Sequence, residues 1–187
     1  MRWTVIRGAS LQSVPWQNGR GTSRSVVTRL GRDGHLLWKV AVAELVADAP
    51  FSTYPHCDRI FIPIAGDPPV SLAFGTAAPE PCALLVPKPF AGETAARCTV
   101  PVPGQAFNVI ADRRHERPEV SVLRLEAGDP VDAPDAPEVI IHCVSGELAV
   151  AGELLGPGDS LLGRGPASPG AAAQDSIAIL VAMHPVA

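Results

Sequence analysis

The sequence predicts an all-β protein made of many short strands, on three observations. Twenty prolines and seventeen glycines are spread through 187 residues, and they break helical runs, because Pro lacks an amide donor and Gly loses the most backbone entropy on ordering. Apolar residues recur at every second position in several stretches, the period of a half-buried strand. Clusters of Gly, Pro, Asp and Ser separate those stretches at short intervals, which is the punctuation of a sandwich, jelly roll or barrel.

Taken in order, Trp38, Val40 and Val42 alternate with Lys39, Ala41 and Ala43. Strand-like runs follow at 59–65, 70–74, 82–86, 107–110 and 120–125, then at 139–144, 147–151 and 177–183. The turns between them are Gly66-Asp67-Pro68-Pro69, the stretches 87–89 and 101–104, Ser145-Gly146 and Gly156-Pro157-Gly158-Asp159. Two segments resemble each other: Ile60 to Gly66 and Val139 to Gly146 are both apolar strands that close on a Gly turn and lead into another strand. This predicts two small β-barrels, with residues 1–128 forming the first and 129–187 a second half packed on it. The Pro- and Asp-rich stretch 129–137 is the expected hinge.

Composition narrows the function classes. Hydrophobic residues make up 47% and charged ones 18%, which excludes disorder for most of the chain. A net charge of −4, with dispersed Lys and Arg, argues against nucleic acid as a partner. The basic cluster Arg113-Arg114-His115-Glu116-Arg117 reads as a solvated turn or as a phosphate site. No stretch reaches the roughly 18 apolar residues of a membrane span, and the N-terminus lacks a signal-peptide apolar core. Cys57, Cys82, Cys98 and Cys143 have no CxxC spacing and are expected as buried, reduced thiols in a cytoplasmic protein.

In the second half, Gly146-Glu147-Leu148 followed by Leu155-Gly156-Pro157-Gly158-Asp159-Ser160-Leu161 resembles the second half of a cupin barrel. Metal-binding cupins carry two His at i and i+2 with a nearby Glu. His35, His56, His115, His142 and His184 have no such neighbours, so neither a metal nor another cofactor is expected. His142 is expected as a buried, hydrogen-bonded strand residue.

Three segments hold the candidate chemistry. The loop Pro15-Trp16-Gln17-Asn18-Gly19-Arg20-Gly21-Thr22-Ser23-Arg24 is either a packed turn or a cradle of amides for an anion. Within Phe51-Ser52-Thr53-Tyr54-Pro55-His56-Cys57-Asp58-Arg59, strand alternation places Arg59 on one face with Phe61 and Pro63. A buried guanidinium needs an acid such as Glu44 or an incoming carboxylate, which it would hold bidentately. Asn108, out of phase with Phe107 and Val109, is polar within a β run and serves either a ligand or the backbone.

Together, and in this order, "PWQNGRGTSR", "WKVAVAELVADAPFSTYPHCDR" and "FNVIADRR" resemble the motifs of the HutD/Ves family. The resemblance spans about residues 13–115. It implies all-β architecture with two cupin-like jelly-roll barrels and few short helices, a homodimer, and a link to histidine utilisation. It also implies a small carboxylate ligand, such as urocanate or a formylated or formimino glutamate. The positions that match are Trp16, Asn18, Gly19, Gly21, Phe51, Ser52, Asp58, Arg59, Asn108, Arg113 and Arg114. The chain departs at Gln17, where Lys is usual, at Arg20 and Ser25, at His56-Cys57 and at Ile110.

The expected binding set is Trp16, Asn18, Gly19, Thr22, Phe51, Ser52, His56, Asp58, Arg59 and Asn108, with no catalytic residue. The expected role is non-catalytic, regulatory or accessory, in amino-acid catabolism. Two alternatives stand beside it. One is a metal-free isomerase or hydrolase with His56 as general base; the other is a scaffold that binds partners and no small molecule.

Overall fold

The computed structural model describes residues 3–16, 21–165 and 170–186. Among them the regular structure is nearly all strand, with one short 3₁₀ turn at Gly8–Ser10. β1 is Thr4–Ile6. Then come β2 (Ser13–Pro15), β3 (Thr22–Leu30), β4 (Leu36–Leu45), β5 (Ala49–Pro50), β6 (Cys57–Ala65), β7 (Ser71–Phe74), β8 (Glu80–Pro81), β9 (Lys88–Ala91), β10 (Ala96–Thr99) and β11 (Gly104–Asp112). The remainder are β12 (Glu116–Leu125), β13 (Pro130–Val131), β14 (Glu138–Ser145), β15 (Leu148–Val150), β16 (Glu153–Leu155), β17 (Ser160–Gly163), β18 (Gly170–Ala172) and β19 (Ser176–Pro185).

The chain divides into two compact units, residues 12–116 with 186–187, and residues 1–11 with 117–185. The first holds a six-stranded sheet, β2-β3-β4-β11-β6-β9, and a four-stranded sheet, β5-β10-β7-β8. Its core forms between them from Phe61, Ala43, Leu45 and Ala106 on one sheet and Leu72, Ala96 and Cys98 on the other. The second holds β1-β17-β14-β19-β12 and β13-β18-β15-β16, around Val139, Ile141, Leu161, Leu148, Val150 and Leu155. Strand order repeats with an offset of eight: β4-β11-β6-β9 and β5-β10-β7-β8 become β12-β19-β14-β17 and β13-β18-β15-β16. The two look-alike segments fall on β6 and β14, equivalent strands of this repeat.

Five expectations need correction. The boundary lies at 116/117, not 128/129. The stretch 129–137 is no hinge, since β13 pairs with β18 and Val131, Ala133 and Ala136 are buried in the core. Residues 3–11 join the C-terminal unit, because β1 pairs with β17. The run 82–86 is a turn, in which Leu85 adopts φ 62° and its N–H donates to the Pro63 carbonyl at 2.8 Å. By contrast Pro89, expected in a turn, lies in β9 at the edge of its sheet, where a missing donor is tolerated.

The four cysteines are free and buried, as expected. No helix among the described residues is long and apolar enough to cross a membrane.

Candidate functional site

The register of three neighbouring strands builds a site on one face of the first unit's larger sheet. β11 lies between β4 and β6, with Ile110 opposite Lys39 on one side and Arg59 on the other. One row along, Asn108 lies between Ala41 and Phe61; one further, Ala106 lies between Ala43 and Pro63. Side chains two apart on a strand share a face, so Lys39, Ala41, Ala43, Asn108, Ile110 and Arg59 look the same way. The alanines are what leave room. A cavity of about 50 Å³ lies over them, closed by Trp16, Phe51, Ser52 and Tyr54. It adjoins a wider hollow of about 250 Å³, which shares Trp16, Lys39 and Tyr54 and adds Ser25 and Thr53.

Arg59 sits at the bottom, only 7% exposed. Its Nε and Nη2 donate to the Asn108 Oδ1 at 3.0 and 2.7 Å, and the Asn108 amide donates to the Ala106 carbonyl at 3.2 Å. The guanidinium lies 4.0 Å above the Phe51 ring and 5.6 Å from that of Phe90, contacts worth about 2 kcal/mol when desolvated. Phe51 is held in turn by Phe61 and by the edge of Trp16, at 5.4 and 6.4 Å between centroids.

No carboxylate pairs with Arg59 among the described residues. Glu44, the acid expected as an alternative partner, binds Arg24 at 2.8 Å and the Gln105 amide at 2.9 Å instead. Burial pushes the Arg59 pKa down to about 10. Burial, and then the charge of Arg59, lowers that of Lys39. Two cations therefore face one small, aromatic-walled space, and no carboxylate among the described residues pairs with Arg59 there. Such a space is suited to an anion.

The structure brings together five of the expected residues, Trp16, Phe51, Ser52, Arg59 and Asn108. Asn18 and Gly19, with the departures Gln17 and Arg20, lie outside the described residues. Thr22 precedes Ser23 on β3 and does not line the cavity, because alternation turns it away. His56 is exposed in a turn with φ 63°, and its carbonyl accepts from the Arg113 N–H at 3.0 Å. Asp58 is exposed on the face opposite Arg59 and pairs with Arg113 Nε at 2.8 Å.

The motif's other charges pair within the protein. Arg113 also grips Glu93 with two bonds, at 2.9 and 2.8 Å, which hold the Glu93 carboxyl at about 2. Arg114 takes the buried Asp112 carboxylate with Nε and Nη2, at 2.9 and 2.5 Å, and keeps it well below the usual carboxylate range. In the second unit, His142 is buried and bonds the Ser160 hydroxyl at 2.8 Å.

Sequence reasoning missed Lys39, Ser23, Tyr54 and the two alanines. The signal was present in the alternation of Lys39, Ala41 and Ala43, a strand face whose small side chains leave space beside a charge.

Fold and site define a cupin-type protein with a cationic, aromatic-walled cavity in its first unit. The sequence model of the HutD family matches residues 8–180, and the chain belongs to that family. Two solved structures are similar over nearly the whole chain. HutD from Pseudomonas fluorescens SBW25, in a formate condition, has a TM-score of 0.85 at 20% identity and covers 100% of both chains. A conserved protein of unknown function from Pseudomonas aeruginosa PAO1 has a TM-score of 0.85 at 19% identity, covering 98% of this chain and 100% of its own. The bacterial pirin YhhW from Escherichia coli, in complex with nickel(II), shares the fold at a TM-score of 0.70 and 11% identity, over 99% of this chain and 100% of its own. No curated protein matches the sequence.

Proposed function

We propose that the protein binds a small carboxylate in the first unit's cavity, as a non-catalytic, regulatory or accessory member of an amino-acid degradation route such as histidine utilisation. The observation that carries this reading is the buried Arg59, which spends two donors on a neutral amide and has no acid partner among the described residues. A carboxylate that reaches the Arg59 guanidinium gains a charge-assisted bond in a low-dielectric site, where such bonds are strongest. Lys39 and the hydroxyls of Ser23, Ser52 and Tyr54 stand ready for the rest of the molecule. The inner space suits the carboxylate, and the wider hollow suits a planar or amide tail, as in urocanate or formylglutamate.

The recurrence of strand order eight elements on supports a two-cupin architecture. A cytoplasmic homodimer completes the proposal. The enzyme alternative loses its named base, because His56 lies outside the cavity.

Calorimetric titration with formate, urocanate and N-formylglutamate, against inorganic phosphate, tests the reading. Binding of a carboxylate that disappears in Arg59→Met, a variant that keeps the stem's bulk, is the expected result. Unchanged affinity in that variant overturns it.

A further inference from the structure

A second site lies at the far end of the same strands. Trp38 of β4 faces Ala111 of β11, so the turn entering β4 and the turn leaving β11 meet at one end of the sheet. The first carries His35, the second His115, and Asp112 is the last residue of β11. One ligand atom from each of the three lies within 4.8 Å of the others. The two imidazole rings are 5.3 Å apart, tilted by 43°. Asn108 and Asp112 are four residues apart on β11, about 13 Å along the strand, which separates this cluster from the anion cavity.

His35 is prepared for a cation. Its Nδ1 bonds the Asp33 carboxylate, an acceptor only, so in the neutral ring the proton sits on Nδ1 and Nε2 carries the lone pair. That Nε2 is buried and has no hydrogen-bond partner, a cost a folded protein seldom leaves unanswered. A carboxylate behind an imidazole is also how proteins orient histidines toward metals. The ring keeps its place because residue 31 is glycine: a Cβ there would overlap the His35 imidazole. The Gly31 N–H closes the turn onto the His35 carbonyl at 2.8 Å.

Asp112 is already shared with Arg114. Its Oδ1 accepts from the Arg114 backbone N–H and Nε, and its Oδ2 from Nη2 alone, which leaves Oδ2 a lone pair. We propose that His35, Asp112 and His115 bind a divalent transition-metal ion, with Zn(II) the best fit. Two neutral imidazole nitrogens and a carboxylate oxygen are a borderline-soft set that leaves a fourth position open. The ion would staple the turn before β4 to the turn after β11. Spacing along the sequence hid the site, because its two histidines come from different turns.

The test uses the full chain, free of tags and metal, titrated with Zn(II) by calorimetry and with Co(II) by visible absorption. We expect one ion per chain, a raised melting temperature with Zn(II), and affinity at least ~10-fold lower in His35→Ala and in His115→Ala. His56→Ala is expected to bind as the wild type does. Asp33→Asn, exposed and outside the trio, is expected to weaken binding without touching the ligands, which keeps the test valid if either alanine variant unfolds. Absence of stoichiometric binding, or binding that survives His35→Ala and Asp33→Asn unchanged, overturns the proposal. Formate affinity in folded His35→Ala is expected to equal the wild type's, so the two sites fail or stand separately.

Discussion

Arg59 turns two donors, Nε and Nη2, onto a single acceptor, the Oδ1 of Asn108. That arrangement orients the guanidinium without neutralising it. A fully buried ion pair would be self-sufficient and closed to ligands; an amide holds the fork in place and leaves its charge for something else. Phe51 beneath the cation, 4.0 Å away, supplies part of the compensation that an acid would otherwise provide.

Asn108→Asp changes that balance. The new carboxylate would sit where Oδ1 already accepts at 3.0 and 2.7 Å, making an internal ion pair. The lost donor to the Ala106 carbonyl opposes the gain in stability, so the expected result is a melting temperature near the wild type's with formate affinity down by at least ~10-fold, about 1.4 kcal/mol. Thermal unfolding and calorimetry on the same preparation check both halves.

Ala41→Val addresses the space itself. Ala41 is 4% exposed and faces the cavity of about 50 Å³, so two added methyl groups enter empty volume. Stability is expected to change by less than about 1 kcal/mol, unlike overpacking of a filled core, while anion binding is blocked. Urea unfolding and formate titration separate the two effects.

Most of the fold was legible, because period-two alternation and turn residues are local signals. Trp38 to Ala43 reads as a strand from six residues. Pairing is not local: Lys39 became part of the site only when β11 was placed between β4 and β6, putting Ile110 between the two cations. The same limit explains the misplaced boundary, since the loop-like composition of 129–137 conceals the pairing of β13 with β18. The family motifs pointed to the right strands but did not sort their residues by face. Of the adjacent pair Asp58 and Arg59, one is exposed in an ion pair with Arg113 and the other lines the cavity. The chemistry of His56 suits a ligand site, but chemistry says nothing of where a turn at positive φ directs a side chain.

Lys39 makes affinity and stability move in opposite directions with pH. Burial and the charge of Arg59 lower its folded pKa below the usual value. Between that value and about 10.4, the unfolded chain holds a proton that the folded chain lacks, so stability from this group rises with pH. Over the same window the cavity loses a positive charge, and anion affinity falls. Lys39→Met is expected to make both curves shallower, leaving the part that belongs to Arg59, whose own pKa burial holds at about 10. Difference profiles between wild type and variant, from thermal melting and from formate titration, isolate Lys39 from the chain's other titrations.

The clamp of Arg113 on Glu93 predicts the acid limb. Hydrogen bonds from Arg113 hold the Glu93 carboxyl at about 2, against about 4.3 in an unfolded chain. A depressed carboxylate pKa stabilises the fold fully above the unfolded value and loses that contribution as pH falls toward the folded one. The wild type is therefore expected to weaken more steeply than Glu93→Gln between about 4.3 and 2. The two should converge below that range. Because the pair is half exposed, with side-chain accessibilities of 33% and 47%, salt screens it. Urea unfolding at a series of acidic pH values, repeated in molar NaCl, is expected to show the difference shrinking. A difference that persists in salt would assign the effect to packing of the Glu93 stem rather than to its charge.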